Sequence, residues 1–472
     1  MTRPWHCRAA LGEGRGRGVA LLGLSLLAAL ASCDRRTITD PPAEPSLDLQ
    51  LRQQLGVWGV IPIGAVTPAD PALVELGRSL FFDKVLSGNR DVSCATCHNP
   101  LLRATDGLSL SIGTGAVGDG ASRTLGVGRE FAPRNAPSLL NQGLGPVYMF
   151  WDARVALQGG PVPGGGGAFK TPAGAALPGG LTSVLAAQAM FPVTNRNEMR
   201  GNAGDRDVFG APNELAAYDD AQFGAIWAAT MKRLLAINEY LAKFNAAFPG
   251  TPATALGFQH AANAIAAFET QLFTRTNSPF DRYLARDDHS LSVDAKHGAL
   301  LFFGRARCSS CHFGPLLGGQ NFASAGVPQL GPGVGSAAPL DAGMEPQFTG
   351  QKQRFMFRVP TLRNVELTAP YMHDGAYATL EAVIGHYNDV TKALRTYDVT
   401  QLDPVLRGTY HGDETTISAV LASLDPRLKS PLNLTDDEQR QLVAFLKSLT
   451  DPAARDLSAV IPASVPSGLP IR

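Results

Sequence analysis

The sequence predicts a mostly α-helical protein that contains two related domains. Its 472 residues are more than one hydrophobic core ordinarily organises. The segment Gly77-Arg-Ser-Leu-Phe-Phe82 recurs in the second half as Gly298-Ala-Leu-Leu-Phe-Phe303, so the repeated unit is a whole domain rather than a solenoid repeat. Apolar residues at helical spacing are frequent, whereas strand signals are sparse.

The N-terminal segment is typical of an exported chain. Arginines precede the apolar run 19–30, and small residues then lead to Cys33, which is the layout of a signal peptide over residues 1–33. Leu30-Ala-Ser-Cys33 is similar to a bacterial lipobox and predicts a lipid anchor on Cys33, hence a periplasmic lipoprotein. Ordinary cleavage near Ala31 is the alternative. The polar residues 34–50 are then interpreted as a tether.

Helix start signals divide the rest of the chain. Asp70-Pro71 precedes a helix predicted to end at Phe82, and Ser292 precedes one predicted to end at Phe303. Further helical patterns run through residues 221–248, 254–273, 380–387 and 434–449, the last with Thr435 as its cap. The Gly- and Pro-rich residues 159–180 are predicted to be an irregular loop. The predicted domains are 51–283 and 284–455, followed by a tail over 456–472.

The charge balance argues against two classes of protein. Lys and Arg together number 41, as do Asp and Glu, and charged residues make up 17% of the chain. Such a balance argues against a basic nucleic-acid binder and against an acidic disordered tail. We therefore expect partners other than nucleic acid.

The cysteines predict covalent attachment of haem. Cys7 lies within the predicted signal peptide and Cys33 at its end, and the other four form Cys94-Ala-Thr-Cys97-His98 and Cys308-Ser-Ser-Cys311-His312. This motif offers two thiols for thioether bonds and an imidazole for the iron. Zinc or redox thiols are the alternatives, but zinc would need ligands from the other domain. Two copies favour two haem c groups, with His98 and His312 as proximal ligands.

The opposite face of each iron decides between an electron carrier and an enzyme. An iron with two strong protein ligands passes electrons, whereas an open iron binds peroxide or oxygen. Six further histidines follow the predicted signal peptide, namely His260, His289, His297, His373, His386 and His411. For each, a surface or hydrogen-bonded histidine is the ordinary alternative.

Several ordered motifs resemble a known family, the bacterial di-haem cytochrome c peroxidases and their relative MauG. Besides the two haem motifs, they are Leu76–Asp83, Pro133–Pro137, Phe150-Trp-Asp152, Pro192 with Asn197-Glu-Met199, Ser278–Asp281, and Leu362-Arg-Asn364 leading into Leu367–Tyr371. The resemblance covers roughly residues 73–449. It implies two cytochrome c-like haem domains, with the peroxide site at the N-terminal haem and the electron-transfer site at the C-terminal haem.

The resemblance also implies roles for single residues. Trp151 matches the Trp that lies between the haems, against the alternative of a core aromatic. Glu198 matches the acid/base residue that moves the peroxide proton, against the alternative of a solvated surface residue. Gln188 and Pro192 match neighbouring residues of the peroxide pocket, although the Gly-rich insertion lengthens the chain between Trp151 and Gln188.

A calcium ion between the domains is a further implication of the resemblance. Asn135, Thr368 and Pro370 match the positions that hold it through an Asn side chain and backbone carbonyls, with water. Taken alone, Asn135 would be interpreted as a turn residue and Thr368-Ala-Pro370 as a helix stop.

Two positions depart from the typical peroxidase pattern. Thr114 stands about where those members close the peroxide-site iron with a His, so we expect an iron that is open at rest. Tyr387 stands where they place a Met ligand on the second iron, and MauG also uses Tyr there. The alternatives are His386, Met372, and a Tyr387 that only packs.

The resemblance therefore implies an enzyme with hydrogen peroxide as its substrate. The leading hypothesis is a peroxidase that takes electrons from a small periplasmic cytochrome c or cupredoxin. A MauG-like oxidase that modifies a partner protein is the alternative within enzymes, and Thr114 and Tyr387 favour it. A di-haem electron carrier is the alternative outside enzymes. A homodimer is compatible with each of them.

Overall fold

The computed structural model describes residues 45–145, 147–158, 168–345 and 353–471. The predicted signal peptide, Cys33 and the tether up to residue 44 lie outside the described residues. The helices are α1 (Leu47–Val57), α2 (Pro71–Phe82), α3 (Cys94–Cys97), α4 (Val184–Ala189), α5 (Phe223–Leu235), α6 (Asn238–Ala247), α7 (Phe258–Leu272), α8 (Pro279–Leu284), α9 (Val293–Phe303), α10 (Leu380–Asn388), α11 (Val390–Arg395), α12 (Glu414–Ala422) and α13 (Asp436–Ser448). The mostly α-helical prediction is confirmed.

The strands are few and short. β1 (Tyr148–Met149), β2 (Val155–Gln158) and β3 (Ala168–Lys170) form one antiparallel sheet, and β4 (Phe322–Ala323) pairs with β5 (Phe357–Arg358). β3 corrects the prediction of an irregular loop over 159–180, of which 159–167 lie outside the described residues. Phe169 pairs with Leu157 and packs against the first hydrophobic core, which favours a strand at this point.

Polar caps begin the helices where the sequence predicted them. The Asp70 carboxylate accepts a hydrogen bond from Ala72 N at 2.7 Å, and Ser292 Oγ accepts one from Ala295 N at 3.1 Å. Thr435 and Glu438 form a capping box at the start of α13. The pattern over 221–248 proves to be two helices, because Ile237 turns into an extended conformation and packs against the first core.

The two copies of the internal repeat pack against neighbouring helices in the same way. α2 crosses α7 at Gly77, and α9 crosses α13 at Gly298. A Cβ atom at Gly77 would lie 1.9 Å from Ala264 O, and one at Gly298 would lie 1.9 Å from Gln441 O. Each crossing therefore needs glycine so that two helix backbones can approach.

Two large hydrophobic clusters follow from these crossings. The first core is built on α2, α4 and α7, and the second core is built on α9, α10 and α13. Both lie within one compact unit that begins at Ser46. No helix among the described residues is long and apolar enough to cross a membrane.

Segments near both ends of the described chain pack against the core of the other half. This packing crosses the predicted domain boundaries at residues 50, 283 and 455. Helix α1 begins inside the predicted tether, and its Leu51 and Leu55 are buried in the second core. Helix α8 also packs there, because Phe280 stacks on Phe303. The predicted tail instead closes the first core through Leu457, Val460 and Val465.

The repeat motif itself holds this C-terminal segment. Arg78 Nε donates to Val460 O at 2.8 Å, and Arg78 Nη2 donates to Ile461 O at 2.9 Å. Ser467 Oγ donates to the buried carboxylate of Asp83 at 2.6 Å. The polar residues of the first motif copy therefore bind the far end of the chain.

Candidate functional site

A cavity of about 500 Å³ in the first half contains most of the predicted site residues. Its wall includes Cys94, Cys97, His98, Asn135, Trp151, Gln188, Pro192 and Glu198. Gln188 reaches it from the end of α4 despite the Gly-rich insertion. Residues distant in sequence therefore meet around the first thiol pair.

The two predicted proximal histidines are oriented in the same way. His98 Nδ1 lies 3.4 Å from Ala104 O, and His312 Nδ1 lies 3.1 Å from Leu317 O. A carbonyl only accepts hydrogen bonds, so the proton resides on Nδ1 and Nε2 is free to bind a metal. Burial lowers the pKa of both imidazoles to about 4, which keeps them neutral.

The chemistry of the cavity wall fits a haem c. Within the described residues, five of its buried polar atoms have no hydrogen-bond partner: Ser93 Oγ, Ser111 Oγ, Gln142 Oε1, Glu269 Oε2 and Arg358 Nη1. Burial lowers the pKa of Arg358 to about 10. The Arg358 guanidinium, whose Nε donates to Phe150 O but whose Nη1 has no partner among the described residues, matches the carboxylates that haem carries, and the thiols and imidazole match its attachment chemistry.

Glu198 is placed by an unusual turn of backbone. It lies in a π-helical turn over Arg196–Arg200, and the Asn195 side chain accepts hydrogen bonds from Asn197 N at 2.9 Å and Glu198 N at 3.1 Å. Such turns are frequent at functional sites. Burial raises the pKa of Glu198; the charge of Arg154 opposes this rise and that of Asp152 adds to it.

Glu198 also connects the inner cavity to an adjoining one. The outer cavity has a volume of about 590 Å³. It shares five wall residues with the inner cavity, namely Phe150, Arg154, Pro172, Asn195 and Glu198. Glu198 therefore lies in the wall that the two cavities share.

Thr114 lies behind Glu198 rather than in the cavity. Its hydroxyl donates to Asp91 Oδ1 at 2.7 Å, and its backbone N donates to Glu198 O at 2.9 Å. It is not among the described residues that line the inner cavity, and of the described histidines only His98 is.

Trp151 lies between the two halves of the chain. Its indole Nε1 donates to Asn135 O at 2.9 Å, and its backbone O accepts from Arg358 N at 2.8 Å. The indole is 8% exposed and lines the cavity. These contacts hold the indole ring where the inner cavity meets a segment of the second half, the one that contains Arg358.

A buried ion-pair cluster joins the halves beside Trp151. Arg134 binds Asp341 through two hydrogen bonds of 2.6 and 2.8 Å, and its Nη1 lies 2.7 Å from Asp152 Oδ2. Burial alone would raise the pKa of Asp152, but Arg154 and Arg134 outweigh it and lower the pKa to about 2. Both carboxylates are therefore charged and tied to one guanidinium.

The three predicted calcium positions lie on two adjoining segments. Asn135 N donates to His373 O at 2.8 Å, which brings the segment after Pro370 against it. Asn135 Nδ2 donates to Leu108 O at 2.7 Å, and Thr368 Oγ1 donates to Val365 O at 3.0 Å. Calcium binding stays a prediction.

The second thiol pair has Tyr387 and the Asp425–Arg427 ion pair near it. Cys308 packs against the second core. Burial raises the pKa of the Tyr387 phenol, and Cys311 and Cys308 lie close enough to raise it further. The structure thus brings together the predicted residues of the second haem site.

His386 and Met372, the alternative ligands for the second iron, have other contacts. His386 Nε2 lies 2.8 Å from Ala325 O and its Nδ1 lies 2.8 Å from Tyr377 Oη, so both ring nitrogens are engaged. Met372 packs against a different apolar cluster, which contains Leu110 and Tyr377. A Tyr387 that only packs is the alternative left.

Four residues of this region were not chosen from the sequence. Arg134 and Asp152 lay inside quoted motifs, so a signal for them was present. Glu269 and Arg358 had none, because a charged residue in a helix or short strand ordinarily faces solvent. Burial raises the pKa of Glu269 to about 8, which keeps this carboxyl of the cavity wall protonated near neutral pH.

Comparison with known proteins gives concordant matches. The family model described as di-haem cytochrome c peroxidase matches residues 71–289. The methylamine utilization protein MauG of Methylorubrum extorquens is 30% identical over 396 residues, which cover 84% of this chain and 83% of that protein. The cytochrome c551 peroxidase of Pseudomonas aeruginosa is 30% identical over 366 residues, which cover 76% of this chain and 81% of that protein.

Solved structures give the same fold. The crystal structure of a MauG-like protein associated with microbial copper homeostasis matches with a TM-score of 0.56 and 26% identity, over 86% of this chain and 97% of that chain. The diheme peroxidase BthA from Burkholderia thailandensis matches with a TM-score of 0.54 and 21% identity, over 85% and 95% of the two chains. The second likeness bears on the fold alone.

Proposed function

The chain belongs to the family of di-haem cytochrome c peroxidases and MauG, and on this premise we propose that it reduces hydrogen peroxide to water with electrons from a small periplasmic redox protein. The family makes it an oxidoreductase with two haem c groups. The observation that carries the specific proposal is Glu198, a partly buried carboxyl in the shared wall of two cavities and in the same wall as Cys94, Cys97 and His98.

Glu198 performs the proton chemistry in this proposal. Bound haem c supplies an iron that binds peroxide and the electrons that reduce it. The Glu198 carboxylate takes the proton from the near peroxide oxygen and delivers it to the departing oxygen, so that water leaves rather than hydroxide. The fixed turn over Arg196–Arg200 supports this role, because proton transfer requires a held geometry.

The two departures from the peroxidase pattern complete the proposal. The Thr114 hydroxyl is engaged with Asp91, which supports a peroxide-site iron that is open at rest. Tyr387 is proposed as the second iron's ligand, since both nitrogens of His386 have partners. Trp151 is proposed as the electron relay between the halves, and Gln188 as a peroxide-pocket residue.

Three further properties are proposed together with this function. They are calcium binding at Asn135, Thr368 and Pro370, a periplasmic location, and a lipid anchor on Cys33. A cytochrome c is the donor that the family implies, and a cupredoxin is its alternative.

Steady-state peroxide reduction with reduced cytochrome c or a reduced cupredoxin tests the proposal. Removal of the proton acceptor in Glu198→Gln should lower kcat/KM for peroxide by about 10²- to 10⁴-fold. Glu239→Gln, at an exposed position on α6, is the matched control and should keep the wild-type rate. Equal rates in Glu198→Gln and the wild type would contradict the role of Glu198.

A MauG-like oxidase is the second candidate function, and Tyr387 beside the second thiol pair favours it. Slow donor oxidation together with a long-lived peroxide-oxidised state would select this candidate. A protein that does not react with peroxide would be an electron carrier. Electron paramagnetic resonance of the ferric protein provides a separate test of the open iron: two low-spin haems without a high-spin signal would contradict it.

A further inference from the structure

Four aromatic rings and a histidine form a continuous path from the second haem site towards the surface. The ring centroids of Tyr387 and His386 are 5.3 Å apart, and those of His386 and Tyr377 are 5.1 Å apart. Tyr377 then contacts Tyr397 at 5.6 Å, and Tyr397 contacts Tyr410 at 5.0 Å. The proposed function uses only the first of these residues.

Tyr377 and His386 form a buried hydrogen-bonded pair within this path. Both side chains are almost fully buried, and Tyr377 Oη lies 2.8 Å from His386 Nδ1. His386 Nε2 faces the carbonyl of Ala325 at 2.8 Å, so Nε2 carries the proton and Nδ1 accepts from the phenol. The phenol thus has a proton acceptor in place, and a tyrosine loses an electron readily only when its proton can leave.

A surface cavity of about 440 Å³ opens beside this pair. Tyr377, His386 and Tyr397 line it, together with the polar residues Gln401 and Lys392. The volume suits one small aromatic molecule, whose ring can stack on the tyrosines and whose hydroxyl can bind the polar groups.

We infer that this cavity is a second oxidation site, where a small phenolic reductant gives electrons to the enzyme through the tyrosine path. The inference rests on the proposed function, because hydrogen peroxide is the oxidant. Tyr377 loses one electron towards the second haem site, and its phenolic proton passes to His386 Nδ1. His386 Nδ1 returns this proton to the Tyr377 oxygen when a phenol in the cavity gives one electron to Tyr377. The phenol releases its own proton to solvent and leaves as a phenoxyl radical.

The reaction balances with two turns of this path. One hydrogen peroxide takes up two electrons and two protons and becomes two waters. Two phenol molecules supply the two electrons and release two protons to solvent, and the peroxide reaction takes up two protons from solvent. No other oxidant or reductant is required.

The test uses the haem-loaded full chain with hydrogen peroxide and 2,6-dimethoxyphenol as the probe. Freeze-quench electron paramagnetic resonance should show a tyrosyl radical in the wild type. Tyr377→Phe should lose that radical and the phenol oxidation but keep the oxidation of reduced cytochrome c. Tyr148→Phe, whose ring packs on Phe322 away from the path, is the matched control and should retain all three. Undiminished phenol oxidation in Tyr377→Phe overturns the inference.

A second measurement, made on the wild type, tests the inference if the Tyr377→Phe protein does not fold. A nitroso spin trap added to the peroxide-treated wild type, followed by peptide mass spectrometry, should find adducts on Tyr377, Tyr397 or Tyr410, and adducts only elsewhere overturn the inference. A wild type that consumes no peroxide overturns the proposed function instead. Photo-oxidation with a ruthenium complex then tests the path without peroxide, and the absence of a radical on these tyrosines overturns the inference by itself.

Discussion

The two thiol pairs share a scaffold but differ in what surrounds them. Each follows a helix with a glycine at which an added Cβ atom would lie 1.9 Å from a carbonyl oxygen of the crossing helix, and each histidine faces a carbonyl through Nδ1. The first pair lines a cavity with Glu198 and Glu269 in its wall, whereas a phenol, Tyr387, lies near the second pair. The helix crossing and the orientation of the histidine are thus shared by the two halves, and the differences come from the segments around them.

Loss of the ion pairs of Arg134 with Asp152 and Asp341 should have the largest effect on stability. Arg134→Gln leaves Asp152 and Asp341 buried without their guanidinium, so we expect a loss of about 4 kcal/mol in unfolding free energy. Arg440→Gln breaks an exposed pair with Asp437 and should change it by less than about 0.5 kcal/mol. Urea unfolding of the haem-loaded protein measures both, and equal midpoints would show that the halves do not depend on this cluster.

The two helix crossings at Gly77 and Gly298 should be destabilised to the same extent when the glycine is replaced by alanine. Gly77→Ala and Gly298→Ala each force a Cβ into a backbone carbonyl, and each should cost about 3 kcal/mol. Gly224→Ala in α5 meets nothing within 4 Å and should stabilise by about 0.5 kcal/mol. Thermal unfolding checks the three variants. A large difference between Gly77→Ala and Gly298→Ala would break the equivalence of the two scaffolds.

The pH dependence should distinguish the first site from the second. Burial raises the pKa of Glu198 above its ordinary value of about 4.3, and only the ionised form accepts the peroxide proton. The peroxide reaction should therefore slow as the pH falls through this raised pKa. The pH profile of kcat/KM for peroxide measures it. A profile that stays flat down to the ordinary Glu range would place the proton acceptor elsewhere.

Tyr387→Phe should have the smallest effect on the fold and a local effect on the haems. The loss of one phenol should cost about 1 kcal/mol or less, while the optical and resonance spectra of the second haem change and those of the first do not. Tyr371→Phe, at a tyrosine that contacts the second core, is the matched control and should leave both sets of spectra unchanged. Unchanged spectra in Tyr387→Phe would remove Tyr387 as the iron ligand.

Sequence patterns predicted the local features and missed the long-range ones. The starts of α2 and α9 were predicted because Asp70 and Ser292 cap them with their own side chains, a contact within three residues. The break at Ile237 was missed because an apolar residue fits a helical pattern and a buried turn equally well.

The site shows the same division. Motifs placed Glu198 and Trp151, whose chain neighbours carry a recognisable order, and the structure brings both to the first cavity. Arg358 and Glu269 could not be found in this way, because their burial depends on which segments meet across the fold. The His386–Tyr377 pair likewise needs the carbonyl of Ala325, which is distant in sequence.

The packing of the C-terminal segment against the first core affects the order in which the protein folds. Leu457, Val460 and Val465 are synthesised after the other residues of the first core, and Arg78 lacks its carbonyl partners Val460 O and Ile461 O until then. The first core therefore cannot be completed until these residues have been synthesised. Removal of residues 456–471 would accordingly destabilise the core around the first thiol pair before the core around the second, although the second pair is nearer in sequence.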